Sequence, residues 1–314
     1  MMTLEREPAG AEAEAAAVKS KPEVIYRHGR LVRVTHWVNF ACVALLLMSG
    51  LQIFNAHPML YFGARGADGD PAWLSLTATQ RPGREIAGLT RIGSVSFHTT
   101  GWLGVSAGRG GEPMVRGFPE WSTLPSWQDL ATGRRWHFFL AWILVANGLV
   151  FLVAGFASGH FHKDLTPKPR EVAPRRLWRS IVDHALLRRA QGEEAKHYNV
   201  LQKFAYLTVI FLLLPLMVLT GLCMSPGFDA FAPWLVDLFG GRQTARSIHF
   251  ITASAVVLFV LVHLIEVVVE GPWNEVRSMI TGRYVVRPSG SNCPPAEPEF
   301  GSPEPQPVVP EAQA

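Results

Sequence analysis

Cysteine is scarce: Cys42, Cys223 and Cys293 are the whole complement, and no two stand in a C-x-x-C or C-x-x-C-H arrangement. That excludes a covalently attached c-type haem, an iron–sulfur cluster held by cysteines and a zinc finger. Charge is thin as well. Asp, Glu, Lys and Arg make up 17% of the residues, and the net charge of +4 comes from basic residues outside the apolar runs. No nucleic-acid partner is called for. The first thirty residues hold no apolar core followed by a cleavage site, so the first apolar run is expected to direct membrane insertion itself.

What the sequence has instead is four long apolar runs, residues 34–54, 138–157, 205–224 and 248–269. Each holds about 20 residues, enough at about 1.5 Å per residue to cross a hydrocarbon core of about 30 Å. A buried helix of a soluble protein keeps a polar stripe, which these runs lack. The expected fold is an all-α integral membrane protein, a four-transmembrane-helix bundle. Pro215 is expected to kink the third helix, with neighbouring helices satisfying the freed carbonyl.

Lys and Arg number 6 in residues 1–33, 8 in 55–136, 10 in 158–203, 2 in 225–247 and 3 beyond residue 269. By the positive-inside rule, both termini and the 158–203 connection face the cytoplasm. Residues 55–136 then form a long non-cytoplasmic loop between helices 1 and 2. Residues 1–25 and 286–314 are expected to be disordered cytoplasmic segments, the latter rich in Pro, Glu and Gly. Between them lies a membrane domain spanning residues 26–285.

Four of the eleven histidines, His36, His137, His249 and His263, fall within or at the edges of the apolar runs. A polar side chain at membrane depth is costly and usually faces the bundle interior with a partner or a function. His249 and His263 are fourteen residues apart, which leaves them about 40° apart around a helix axis and about 21 Å apart along it. Alternating helix direction then matches His137 with His249 near the outer surface, and His36 with His263 near the cytoplasmic one. Two imidazoles at equal depth are what a bis-histidine haem requires; zinc would need further ligands that neither level offers. Simple packing histidines are the competing reading. Arg27, Arg30, Arg33, Arg134, Arg135, Arg242 and Arg246 precede these histidines, as haem-propionate partners or as interfacial anchors. Gly50, Gly148, Gly155 and Gly221 allow close helix approach or room for a flat cofactor.

The stretches "RVTHWVNFACVALLLMSGLQIF", "GRRWHFFLAWILVANGLVFLVAG", "YNVLQKFAYLTVIFLLLPLMVLTGL" and "RSIHFITASAVVLFVLVHLIEVV" resemble the bacterial di-haem cytochrome b family. That family includes the membrane subunits of formate dehydrogenases and nickel–iron hydrogenases, and the nearest look-alike is the cytochrome b subunit of thiosulfate reductase. The resemblance covers roughly residues 26–285. It implies two non-covalent haems b, ligated by His36 with His263 and by His137 with His249. It also implies a quinone site at the cytoplasmic edge formed by Asn199, Gln202 and Lys203, although a polar helix start that merely caps the helix accounts for the same residues. Its implied partner is a periplasmic oxidoreductase subunit, of molybdopterin type or another, with the chain in the bacterial inner membrane as an electron-transfer subunit rather than an enzyme.

The loop departs from formate dehydrogenase subunits, whose first two helices are joined by a short connection. Its Trp and Phe content argues for a folded surface that docks a water-soluble partner. His57 and His98 are read as loop residues, and His28, His160, His162, His184 and His197 as cytoplasmic ones, with His197 a candidate for proton delivery to a quinone. Two other functions fit the composition: a stand-alone transmembrane haem reductase, and a non-haem membrane anchor subunit.

Overall fold

The computed structural model describes residues 23–66, 70–80, 82–83, 85–186 and 198–286. Among the described residues four helices are long and apolar enough to cross a membrane: α1 Arg30–Phe54, α2 Leu130–Ala157, α4 Val200–Cys223 and α7 Arg242–Glu270. Each contains its expected apolar run almost entirely and extends it by up to eight residues at the N-terminal end. Hydropathy stops where Arg, Asn and Gln begin, but these residues are acceptable helix formers and continue the turn into the polar layer.

Helices α1 and α2 pack side by side, as do α4 and α7. Between α1 and α2 the Asn147 amide donates to the Thr35 carbonyl at 2.9 Å and to Asn39 Oδ1 at 2.8 Å. Such interhelical hydrogen bonds replace the water that lipid does not supply. In α4 the ladder widens to a π turn over Val209–Leu213, closed by the Leu214 N–H on the Val209 carbonyl. Pro215 follows directly and has no N–H of its own, so the wider turn accommodates it.

Residues 55–136 correct the all-α expectation. After α1 the chain forms β2 Met59–Leu60, β3 Leu74–Thr79, β4 Ala87–Ile92 and β5 Val95–His98, an antiparallel sheet in the order β2-β3-β4-β5. A second hairpin pairs β6 Gly104–Ala107 with β7 Pro113–Arg116. The stretch "VSFHTTGWLGV" supplies β5 and the start of β6. Leu60, Leu74 and Leu76 form the core of this cap with Phe54 at the end of α1, and Phe250 of α7 packs against it.

Arg116 locks the cap down. Its side chain is fully buried and donates to Gln52 Oε1 of α1 at 3.1 Å, to Thr123 Oγ1 at 3.0 Å and to the Ser126 carbonyl at 3.0 Å, with Glu120 at 3.7 Å. Gln52 in turn donates to the Trp127 carbonyl at 2.9 Å.

At the other end of the bundle, β1 Glu23–Tyr26 pairs antiparallel with β8 Arg283–Val286. Residues 23–25 and 286, expected to be disordered, therefore form strand, because Ile25, Tyr284 and Val286 pack together. The remainder of both expected disordered segments lies outside the described residues. The Arg27 guanidinium stacks 4.4 Å over the Tyr284 ring and pairs with Glu275 at 3.4 Å. Two short helices, α3 Pro174–Ala185 and α8 Pro272–Thr281, expose apolar rows at helical spacing, Trp178 with Ile181 and Trp273 with Val276 and Ile280. That is the pattern of helices lying in a membrane interface. The short helices α5 Pro226–Phe231 and α6 Pro233–Leu238 join α4 to α7 on the cap side.

Candidate haem-binding site

The four histidines stand as two facing pairs. His36 of α1 and His263 of α7 have ring centroids 6.3 Å apart and planes inclined at 61°. His137 of α2 and His249 of α7 have centroids 6.4 Å apart, also at 61°. With about 1.1 Å from ring centre to nitrogen, the closest nitrogens within a pair stay about 4 Å apart, beyond hydrogen-bond reach. Two metal–imidazole bonds of about 2.0–2.1 Å to one shared ion span that gap. Among the described residues no group of three or more His, Cys, Asp or Glu converges on a metal position. The donor set at each level is thus two imidazoles, which fits the axial positions of a haem and does not fit tetrahedral zinc.

The His137–His249 level is held by a repeated local pattern. Ser49 Oγ lies 3.1 Å from His137 Nδ1, and Thr220 Oγ1 lies 3.0 Å from His249 Nδ1. The next residue in each case is glycine. A Cβ on Gly50 would sit 3.4 Å from His137 Cε1, and one on Gly221 would sit 3.5 Å from His249 Cε1. Ser49-Gly50-Leu51 on α1 and Thr220-Gly221-Leu222 on α4 thus do the same work for partners on α2 and α7. This repeat was visible in the sequence as two hydroxyl-Gly-Leu triplets, yet nothing in a triplet alone names its histidine.

The His36–His263 level is built differently. Phe259 stacks on His263 at 6.0 Å and 11°, and Trp37 stands edge-on to His36 at 5.5 Å. Among the described residues His36 Nδ1 is buried with no hydrogen-bond partner.

Asn199, Gln202 and Lys203 gather at the start of α4, where Asn199 and Gln202 form a capping box. Asn199 Oδ1 accepts from the Leu201 N–H at 3.2 Å, Gln202 Oε1 accepts from the Asn199 N–H at 3.2 Å, and Ser180 donates to Asn199 Oδ1. Lys203 is buried and paired with Glu171 at 2.9 Å. Several arginines serve as ties: Arg33 donates to the Ile280 carbonyl, Arg242 to Met224 at 2.7 Å and Arg246 to His57 at 2.5 Å.

The other described histidines stand outside the two pairs. His57 stacks on Tyr61, and His98 ends β5. His160 Nδ1 meets Asp164 at 2.6 Å, and His184 faces Glu266 at 3.8 Å. His28 is buried; that burial, with the charges of Arg27, His36, His160 and Arg33, pushes its pKa down to about 4 and keeps it neutral. His197 lies outside the described residues.

The family model described as prokaryotic cytochrome b561 matches residues 27–282. A relative from Azospira oryzae, named as protein-methionine-sulfoxide reductase subunit YedZ1, is 28% identical over 242 residues, 77% of this chain and 90% of the relative. One from Cupriavidus necator, named as a Ni/Fe-hydrogenase B-type cytochrome subunit, is 26% identical over 160 residues, 46% of this chain and 64% of the relative. No solved structure gives a significant match.

Proposed function

The chain belongs to the prokaryotic cytochrome b561 family, and from that premise we propose that it is a membrane electron-transfer subunit with two non-covalent haems b. One is held by His36 and His263, the other by His137 and His249. The observation that carries this reading is the repetition of one geometry, 6.3 and 6.4 Å at 61°, at two depths of one bundle. Haem b, when bound, supplies reversible one-electron chemistry. The chain's own contribution is four neutral imidazole nitrogens, an apolar surround that excludes water, and a fixed spacing of about 21 Å along α7 between the two levels.

The electrons pass between the quinone pool and a partner oxidoreductase subunit. Both relatives are named as subunits of oxidoreductases, which supports a partner; a periplasmic subunit of molybdopterin type is the proposed one. The distribution of Lys and Arg supports an inner-membrane orientation with both termini in the cytoplasm and the β cap in the periplasm. Trp102 and Trp121, 71% and 72% exposed on the cap, support it as the docking face. At the opposite end, the amide nitrogens of Asn199 and Gln202, whose oxygens are taken by the cap of α4, are the proposed donors to a quinone carbonyl.

The experiment is an optical spectrum of the purified chain, followed by addition of a quinol and by co-purification from native membranes. Reduction of a b-type spectrum by quinol and recovery of an oxidoreductase subunit are the expected results. A spectrum without haem absorption would leave only a membrane anchor.

A further inference from the structure

We infer that Ser49 and Thr220 are positioning residues for the outer pair: they hold His137 and His249 in the tautomer that ligates through Nε2 and lower the reduction potential at that level. This rests on the reading that the pair holds haem.

The hydroxyl protons decide the matter. Ser49 donates to the Leu45 carbonyl at 2.8 Å, one turn back on α1, and Thr220 donates to the Leu216 carbonyl one turn back on α4 at 2.6 Å. Each hydroxyl has one proton, so what faces the imidazole is an oxygen lone pair. The oxygens at 3.1 Å from His137 Nδ1 and at 3.0 Å from His249 Nδ1 therefore accept from a ring N–H, alongside the Leu46 carbonyl at His137 and the Met217 carbonyl at His249, which bond the same rings and favour the same tautomer. A neutral imidazole carries one N–H, which leaves Nε2 with its lone pair in both rings. Gly50 and Gly221 leave each ring its place beside the helix that orients it.

The same bond has an electronic consequence. Hydrogen bonding from Nδ1–H raises the basicity of the ligating nitrogen, and a more basic ligand favours the more highly charged, oxidised iron. Both outer ligands receive this support. At the inner level His36 Nδ1 is buried with no partner among the described residues, so that ligand lacks the support both outer ligands receive. The same contact made twice, to both ligands of one pair, separates a tuning role from ordinary helix back-bonding, in which a Ser or Thr bonds its own i−4 carbonyl and its contact with a ring is incidental.

The test is a spectroelectrochemical titration of the full chain in detergent, as wild type and as Ser49→Ala, Thr220→Val, the double variant, Ser49→Thr and Thr220→Ser. The component absent from His137→Ala identifies the outer level. The expected result is an upward shift of that component in Ser49→Ala and in Thr220→Val, a larger one in the double variant, no movement of the other component, and wild-type behaviour in both hydroxyl-preserving swaps. If the double variant loses the outer haem, the single variants and Ser49→Cys, close in shape but a poorer acceptor, decide the result. An outer component that stays at its wild-type position with haem content intact overturns the inference, as does an equal shift of both components. A wild type with no haem at all overturns instead the proposed function on which this rests.

Discussion

His137 and His249 face each other at 6.4 Å with their ring planes at 61°, and one level away His36 and His263 repeat that relation at 6.3 Å and 61°. Histidines retained only for packing have no reason to share a separation, an angle and a gap too wide for a direct hydrogen bond. A shared metal-centred ligand is one physical cause that imposes all three.

The glycines beside the His137–His249 pair set how much space each ring has. Gly50→Val and Gly221→Val add branched side chains where a Cβ already comes within 3.4 and 3.5 Å of Cε1 of His137 and His249. Rings pushed out of line ligate poorly. Each variant is expected to lose more than half of one haem per chain while keeping the other. Haem content per protein, from a pyridine haemochrome assay, measures it.

Arg116 holds a buried charge network outside the bundle. Arg116→Ala strips Gln52, Thr123 and Glu120 of their shared donor, and breaking a buried charge network of this kind costs about 3 kcal/mol. A clear fall in thermal midpoint in detergent is expected. Arg116→Lys should recover part of it, because an ammonium reaches fewer of the partners at once.

Glu171 gives the structure a pH dependence with a defined sign. Burial works to raise its pKa, but hydrogen bonds from Lys203 and the Lys168 N–H, with both positive charges, outweigh it and hold the carboxyl below the usual range. A depressed carboxylate stabilises the fold above its unfolded value, near 4.5, and that contribution is lost as pH falls through the folded value. Wild type should therefore lose thermal stability on acidification below about pH 4.5 more steeply than Glu171→Gln. At pH 7 the variant should be the less stable of the two, since the buried Lys203 has lost its counter-charge. Melting curves from pH 3.5 to 7 for both proteins decide it.

Hydropathy made the four helices legible because length and composition alone determine what can span a bilayer. Histidine depth made the pairing legible, since α7 carries His249 and His263 on one face with their separation fixed by helical rise. The cap was not legible as strand. Segments such as "LSLTAT" and "AGLTRI" are short, and Gly and Pro between them read equally well as loop. Burial of Arg116 could not be foreseen either, because its partner Gln52 lies 64 residues away and inside an apolar run. Asn199 and Gln202 show the reverse case: the capping pattern was readable in the sequence, and the structure builds the cap.

Haem stoichiometry in wild type, His36→Ala and His137→Ala is the most direct measurement of the central claim. The expected values are two haems per chain in the wild type and one in each variant, with spectrally different components lost in the two. Retention of both haems in both variants, or loss of the same component from each, would contradict it.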